Sequence, residues 1–490
     1  MGQPELEKIS KVTGEHPTGN ENMDISDFFR QHILAEIVIL TWIFFLWEFY
    51  LSYRQRRLMK RLVQRPSILD NLISDEEYQK SRTYGLDKNT FGIIEDLYSN
   101  IIYTIFKISW GVYICWNYGA DLIELIGLNR NSEIYVTAGY LVITTIFSTV
   151  VGLPCTIYNT FVLEQKHEFN QQTPLFFIRD QITKFLVGLV ITVPLTCGIV
   201  WIVKNGGDFF YIYVWLFCVV MSLVLMMIYP EFIAPLFDKY TPLPEGNLKV
   251  EIEKLAASLG FPLYKLYIVE GSRRSTHSNA YLYGFYKNKR IVLFDTLVAE
   301  YQRKKLEEEE KAENEKASNE NPSEDIKEDT KVIKEKKIKG CETDEIIAIL
   351  GHELGHWHYS HAIIGFIFAQ IALFVNFILF SFLMDYTPLY EAFGFTNSKP
   401  VIVGLTVVVT YVLAPLNSLL GWLMTMVSRR NEFQADAFAR RLGYTDALGR
   451  ALVKLFKDNS SYPLYDWLYS NWHNSHPPLL ERLDALKKDD

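Results

Sequence analysis

The residues best suited to chemistry form the string Gly351-His352-Glu353-Leu354-Gly355-His356-Trp357. His352 and His356 are four positions apart, so on an α-helix they share one face, a single turn from each other. Two imidazoles so placed can hold one divalent ion, and the H-E-x-x-H spacing predicts zinc, one per chain. Glu353 stands beside them, placed to take a proton from a water molecule activated at that ion. A third ligand is expected from Ser428-Arg429-Arg430-Asn431-Glu432-Phe433-Gln434-Ala435-Asp436. Glu432 and Asp436 project from one helical face. Glu432 is read as the ligand, and Asp436 as the carboxylate that hydrogen-bonds the outer nitrogen of a ligand histidine and fixes its tautomer. Two histidines and one carboxylate leave a fourth position open, which suits catalysis and not a purely structural zinc. Hydrolysis of an amide also needs a donor for the tetrahedral oxyanion. His473 and His476, in Trp472-His473-Asn474-Ser475-His476-Pro477-Pro478, are both candidates.

These groups must be positioned by elements that cross a membrane. The 490 residues are 49% hydrophobic and 14% aromatic, and apolar runs alternate with very polar stretches. Seven spans are predicted, near Ile33–Tyr53, Ile101–Ile126, Ile134–Pro154, Phe185–Val203, Phe209–Tyr229, Ile363–Met384 and Val401–Val427. Pro194 and Pro415 are expected to kink two of them. The first apolar run is long enough to span, and no cleavable signal peptide is expected ahead of it. Arg54, Arg56, Arg57, Lys60, Arg61 and Arg65 follow the first span and predict a cytoplasmic loop, which puts the N-terminus on the lumenal or exterior side. The H-E-x-x-H string then precedes the sixth span, and Glu432 follows the seventh, on one and the same side. Lys107 falls within a predicted span and is expected to face a polar interior. Asp121, Glu124, Glu36 and Glu48 sit within or at the ends of spans, where snorkelling accounts for Glu36 and Glu48.

The net charge of -8 gives no basic excess, so nucleic acid is not an expected partner. The five cysteines, Cys115, Cys155, Cys197, Cys218 and Cys341, form no C-x-x-C pair. They are read as free thiols, and a cysteine zinc site is not expected.

The domain organisation expected is a polar extension over 1–32, a five-span membrane part over 33–229, a cytoplasmic peptide-binding part over 230–301, a charged insertion over 302–340, and a zinc-peptidase core with two spans over 341–490. Within the soluble part, Val250–Leu259 reads as an amphipathic helix. Lys265–Val269, Ser275–Gly284 and Arg290–Phe294 read as strands of a small sheet whose edge can present itself to an extended peptide. Residues 302–339 carry Glu307–Glu310 and repeated Lys and Glu, which predicts a disordered or frayed helical linker. Thr343-Asp344-Glu345 reads as an N-cap and acidic first turn for the H-E-x-x-H helix.

Taken together these blocks resemble a known family, the integral-membrane type I CAAX prenyl proteases. The resemblance covers nearly the whole chain. It rests on Phe161-Val162-Leu163-Glu164-Gln165-Lys166-His167-Glu168-Phe169-Asn170, Tyr229-Pro230 through Phe237, His277-Ser278-Asn279-Ala280-Tyr281, the H-E-x-x-H block, Ser428 through Asp436, and Ser475-His476-Pro477-Pro478-Leu479-Leu480-Glu481-Arg482. It implies a mainly α, polytopic fold, with seven helices around a large chamber and a small α+β cytoplasmic zinc-peptidase domain. It also implies substrates with a prenylated cysteine near the C-terminus, removal of the last three residues and, in some members, a second upstream cut. His352, His356 and Glu432 then become the zinc ligands and Glu353 the base. His476 becomes the donor to the transition state or substrate carbonyl, and Asn279 falls on the edge strand that pairs with substrate backbone. The tail Lys487-Lys488-Asp489-Asp490 resembles a dilysine signal and fits an endoplasmic reticulum membrane. Two other readings compete. One is a broad quality-control zinc peptidase like the bacterial heat-shock enzymes, which typically have fewer spans. The other is a transporter, channel or scaffold with a structural zinc, for which Glu353 would be unnecessary.

Overall fold

The structure is a computed structural model that describes residues 25–284, 288–319 and 339–488. Most of the polar N-terminal extension, the remainder of the charged insertion and the last two residues of the tail lie outside these.

Six helices come first: α1 (Ile25–Arg61), α2 (Asp75–Ile108), α3 (Gly111–Leu125), α4 (Glu133–Tyr158), α5 (Pro174–Asn205) and α6 (Phe210–Ile228). A soluble unit follows, with β1 (Tyr240–Pro242), α7 (Asn247–Ser258), β2 (Leu263–Val269), β3 (Ala280–Tyr283), β4 (Lys289–Phe294) and α8 (Ala299–Asn319). The chain then forms α9 (Thr343–His358), α10 (His361–Leu383), α11 (Thr387–Glu391), α12 (Val401–Val407), α13 (Ala414–Arg441), α14 (Thr445–Asp458), α15 (Trp467–His473) and α16 (Leu479–Leu486).

Among the described residues, five helices are long and apolar enough to cross a membrane, and the bent pair Val401–Val412 and Ala414–Arg441, counted as one span, brings the number to six. The second expected span, Ile101–Ile126, is not one helix. It breaks between α2 and α3, where Trp110 adopts a left-handed conformation (φ 55°) and Gly111 lies against the Phe106 ring, 2.3 Å from where a Cβ would stand. The expected kink at Pro415 is present as a 62° bend. Pro415 has no N–H to give and its ring crowds the preceding turn; Asn417 Nδ2 donates to the Val409 carbonyl at 3.1 Å, across the break. α5, in contrast, runs unbroken through Pro194.

Only 6% to 22% of each apolar window in the five long helices is buried, which leaves most of that surface for lipid, while Tyr140, Val200, Phe210, Phe377 and Phe380 pack the helices into one core. Lys107 is buried where three elements do meet. Its Nζ donates to Thr41 Oγ1 at 2.9 Å and lies 4.8 Å from the Tyr411 ring centre. A hydroxyl and an aromatic face, and not an open cavity, satisfy this charge.

The basic end of α1 lies against the C-terminal helices. Arg54 makes a two-pronged contact with Asp466, 2.9 Å on each arm. Asp466 N donates to Gln55 Oε1 at 2.7 Å. At the opposite ends of the helices, Glu133 accepts from Lys204 Nζ at 2.6 Å and from Val401 N at 2.7 Å. The arginine-rich loop and the soluble unit therefore share one side, as the charge pattern predicts.

The sheet order is β1-β2-β4-β3, with β2 parallel to β4 and the other neighbours antiparallel. β3 is shorter than the expected Ser275–Gly284. The residues before it are held by side chains instead of a ladder: Asn459 Oδ1 accepts from Ser278 N at 2.9 Å and stands 3.2 Å from His277 Nδ1. The charged stretch that was expected as a linker begins as the end of α8, helical as far as Asn319.

Candidate active site

α9 carries the H-E-x-x-H string. Its N-terminus is closed by a capping box in which Glu342, one residue before the expected Thr343, exchanges hydrogen bonds with Glu345. A carboxylate there also suits the positive end of the helix dipole. α9 packs on α13 through Gly355. A Cβ at that position would stand 3.0 Å from the Ala435 Cα, so the missing side chain lets the two helices approach. Ala435 lies between Glu432 and Asp436, and the approach brings both carboxylates to the histidines.

His352 Nε2 and His356 Nε2 are 3.2 Å apart. Glu432 Oε1 is 3.2 Å from His356 Nε2, and Glu432 Oε2 is 3.6 Å from His352 Nε2. Ligand atoms bound at about 2.0–2.2 Å on a tetrahedron lie roughly 3.3–3.6 Å from one another, and one ligand atom from each of the three residues lies within 4.8 Å of the others, near the spacing of a zinc site with one corner free. His352 and Glu432 are buried. A buried carboxylate facing two imidazole nitrogens is an arrangement that a bound cation would complete. Two neutral imidazoles and a carboxylate are also a donor set that zinc favours.

Each of these two histidines is held from behind. His352 Nδ1 stands 2.8 Å from Asp436 Oδ1. Asp436 is itself gripped by Arg482, at 2.8 Å through Nε and 2.7 Å through Nη2. His356 Nδ1 is 3.0 Å from His361 Nδ1, and His361 Nε2 is 3.1 Å from Gln434 Oε1. The Gln434 oxygen can only accept. His361 therefore donates through Nε2–H and accepts at Nδ1 from His356 Nδ1–H, which leaves the His356 Nε2 lone pair facing its partners. His361, Gln434 and Arg482 have no role in the reading from sequence. His361 was hidden at the head of an apolar helix, although His356 and His361 five apart, with a Gln on the helix that carries Glu432, was a usable signal.

His476 Nδ1 reaches Glu432 Oε2 at 2.9 Å, and its side chain is 69% exposed. The Glu432 carboxylate holds the His476 imidazole above its ordinary pKa. His473 goes elsewhere, 3.2 Å from Glu48 and packed on Tyr469. Of the two candidate donors, only His476 is brought to the site. Burial pushes the Glu353 carboxyl up, offset in part by the two histidines.

Glu353 and His356 line a cavity of ≈ 680 Å³. One wall is β3, through Tyr281, Leu282 and Tyr283, and another is apolar, through Leu225, Met226 and Ile363 near the ends of α6 and α10. β3 is the edge of the sheet. Phe294 N donates to Asn279 O at 3.0 Å. Antiparallel alternation then makes Tyr281 and Tyr283 the residues bonded to β4, and turns the N–H and C=O of Ala280 and Leu282 to the free side. Asn279 itself stands exposed one residue before the strand, its Oδ1 accepting from Ala280 N at 2.8 Å. Its described contacts do not reach the histidines.

Two family models match the chain. Residues 55–239 match the CAAX prenyl protease N-terminal part, described as five membrane helices, and residues 242–490 match peptidase family M48. The CAAX prenyl protease 1 homologue of Homo sapiens is 47% identical over 94% of this chain and 96% of its own length. The CAAX prenyl protease 1 of Saccharomyces cerevisiae is 35% identical over 90% of this chain and 92% of its own. The crystal structure of S. mikatae Ste24p superposes with a TM-score of 0.80 at 33% identity, over 93% of this chain and 99% of that one.

Proposed function

From its membership of the CAAX prenyl protease branch of peptidase family M48, we propose that this chain is a multi-pass membrane zinc endopeptidase that removes the last three residues from prenylated CAAX proteins. The observation that carries this reading is the His352, His356 and Glu432 triangle beside Glu353, in a cavity walled by a free strand edge and by the apolar ends of two spans.

His352, His356 and Glu432 would hold the zinc ion, with Asp436 and His361 orienting the two imidazoles. Bound zinc would supply Lewis acidity, lowering the pKa of a water molecule and polarising the scissile carbonyl. The remaining work falls to side chains. An extended substrate adds to the β3 edge by backbone hydrogen bonds to the Ala280 carbonyl and the Leu282 N–H and carbonyl, with Asn279 capping the end of that edge. The prenyl group lies against Leu225, Met226 and Ile363, where burial of its apolar surface favours prenylated over bare peptides. Glu353 accepts the proton of the attacking water and passes it to the leaving amine. His476, outside the ligand triangle and exposed beside Glu432, donates to the carbonyl oxygen as charge develops there.

The arginine cluster after α1 and the contact between Arg54 and Asp466 support a cytoplasmic active site with a lumenal N-terminus. An endoplasmic reticulum membrane is the location that this orientation and the dilysine tail suggest. A quality-control peptidase would not need the prenyl group. A structural zinc site would not need Glu353.

Glu353→Gln tests the assignment of the base. The variant should bind one zinc per chain and lose cleavage of a farnesylated CAAX peptide by about 10²–10⁴-fold, the usual contribution of a general base. Wild-type cleavage by that variant would rule the mechanism out.

A further inference from the structure

A second cleft opens on the membrane side of the sheet, next to the active-site cavity. Its volume is ≈ 510 Å³, within the usual range for a small-molecule site. It is lined by the first turns of α5, by the segment that follows α6, and by Arg273 and Arg290 from the soluble unit. The apolar stretch of α5 begins at Phe185 and that of α6 ends at Ile228, so the cleft lies at the depth of lipid headgroups.

Its charges are unevenly matched. Asp180 takes Lys184 and Arg274, each at 2.8 Å, and Asp238 takes Arg274 at 2.6 Å. Glu231 pairs with Arg290. Glu270 takes Lys239 at 2.7 Å and Arg273 at 3.8 Å. Each carboxylate thus already has a cation. Arg179, exposed on the lining, has no acidic partner among the described residues. Among the lining residues, the four cations Arg179, Lys239, Arg273 and Arg290 face the three carboxylates Asp180, Glu231 and Asp238, a surplus of one positive charge.

The cleft also has an apolar flank. Leu175 is 78% exposed and Phe232 70% exposed, and Ile178 and Leu236 are exposed beside them. Phe176 lies under the guanidinium groups of Arg273 and Arg274, at 5.7 and 5.0 Å from its ring centre, and holds them toward the opening.

We infer that this cleft binds the headgroup of an anionic phospholipid from the leaflet facing the soluble unit. Arg179, Arg273 and Lys239 are the accessible cations that contact the phosphate and the acidic headgroup. Leu175, Ile178 and Phe232 lie along the acyl chains. A free phosphate offers the same charge but leaves the apolar flank uncovered, which favours the lipid. Pro230, Tyr240 and Tyr283 line both this cleft and the active-site cavity, so a bound headgroup abuts the end of β3.

The test uses the full chain in nanodiscs of equal phosphatidylcholine and phosphatidylserine, with retained lipids counted by native mass spectrometry. Wild type is expected to retain phosphatidylserine preferentially. Arg179→Ala should weaken that retention about fivefold, the factor for one basic group near an anionic surface. The pair Arg179→Glu and Arg273→Glu should abolish the preference. Lys254→Glu, on α7 with its side chain 74% exposed, should leave it intact. Equal retention of the two lipids by wild type, or an undiminished preference in the double variant, would overturn the inference. Complete displacement of phosphatidylserine by millimolar inorganic phosphate would overturn the lipid assignment. No substrate enters the measurement, so its outcome is independent of the peptidase reading.

Discussion

At the scale of single residues, the site is built from ligands and the groups behind them. Removing His361 leaves His356 Nδ1–H without its acceptor in a crowded place, so the ring is free to turn and present the wrong nitrogen. His361→Ala is expected to weaken zinc binding by about 10–100-fold, the usual cost of losing such a partner. His361→Asn, which keeps an acceptor, should recover part of it. Competition with a zinc chelator dye reads this without any peptide, and unchanged affinity in the alanine variant would show that His361 does not orient its neighbour. The pairing of His352 with His356 was legible in the sequence because a helix turns every 3.6 residues and fixes what a four-residue spacing can bring together. Glu432 was legible only through topology, as the acidic group returning to the same side. Arg482 was quoted within a motif but its role could not be read, because the contact with Asp436 joins two helices that no local period relates.

At the scale of elements, everything rests on the contact between α9 and α13. Gly355 is what makes it close. Gly355→Val would set two methyl groups against Ala435, and overpacking of this kind costs about 1–3 kcal/mol. The expected result is a lower melting temperature together with loss of bound zinc, measured by thermal unfolding and metal analysis of the purified protein. Full zinc content in the variant would mean that helix separation does not set the ligand geometry. The break at Trp110 escaped the sequence reading because hydropathy continues across it, whereas conformation does not. Pro415 announced its bend because a missing N–H acts locally. The strand before Ala280 was overextended, since Ser275 to Asn279 are polar residues whose backbone is held by side chains such as Asn459 and not by a ladder.

At the scale of the whole molecule, the soluble unit and the spans are tied by a few polar links. Arg54 and Asp466 form one of them. Burial pushes the Asp466 carboxyl up, but its bonds to Arg54 and to the Tyr469 and Leu468 amides more than reverse this, and the net pKa is lowered. A lowered carboxylate pKa adds stability above the ordinary Asp range, and that stability is lost as pH falls through the folded-state value. The melting temperatures of wild type and Asp466→Asn should therefore differ at neutral pH and converge as the pH falls below the ordinary Asp range. A gap that stays constant with pH would show that the charge of Asp466 is not what holds this joint. The overall architecture was largely legible, since long apolar runs and basic loops report directly on the membrane. Which helices pack together was not, because hydropathy says which residues avoid water and not which neighbours they keep.

The most direct test is the product mass from a farnesylated CAAX peptide incubated with the purified chain, with and without a zinc chelator. The account predicts a product shorter by the three residues after the prenylated cysteine, lost on chelation and restored by added zinc. The same product from fully chelated protein, or an intact peptide after incubation with the zinc-loaded chain, would contradict it.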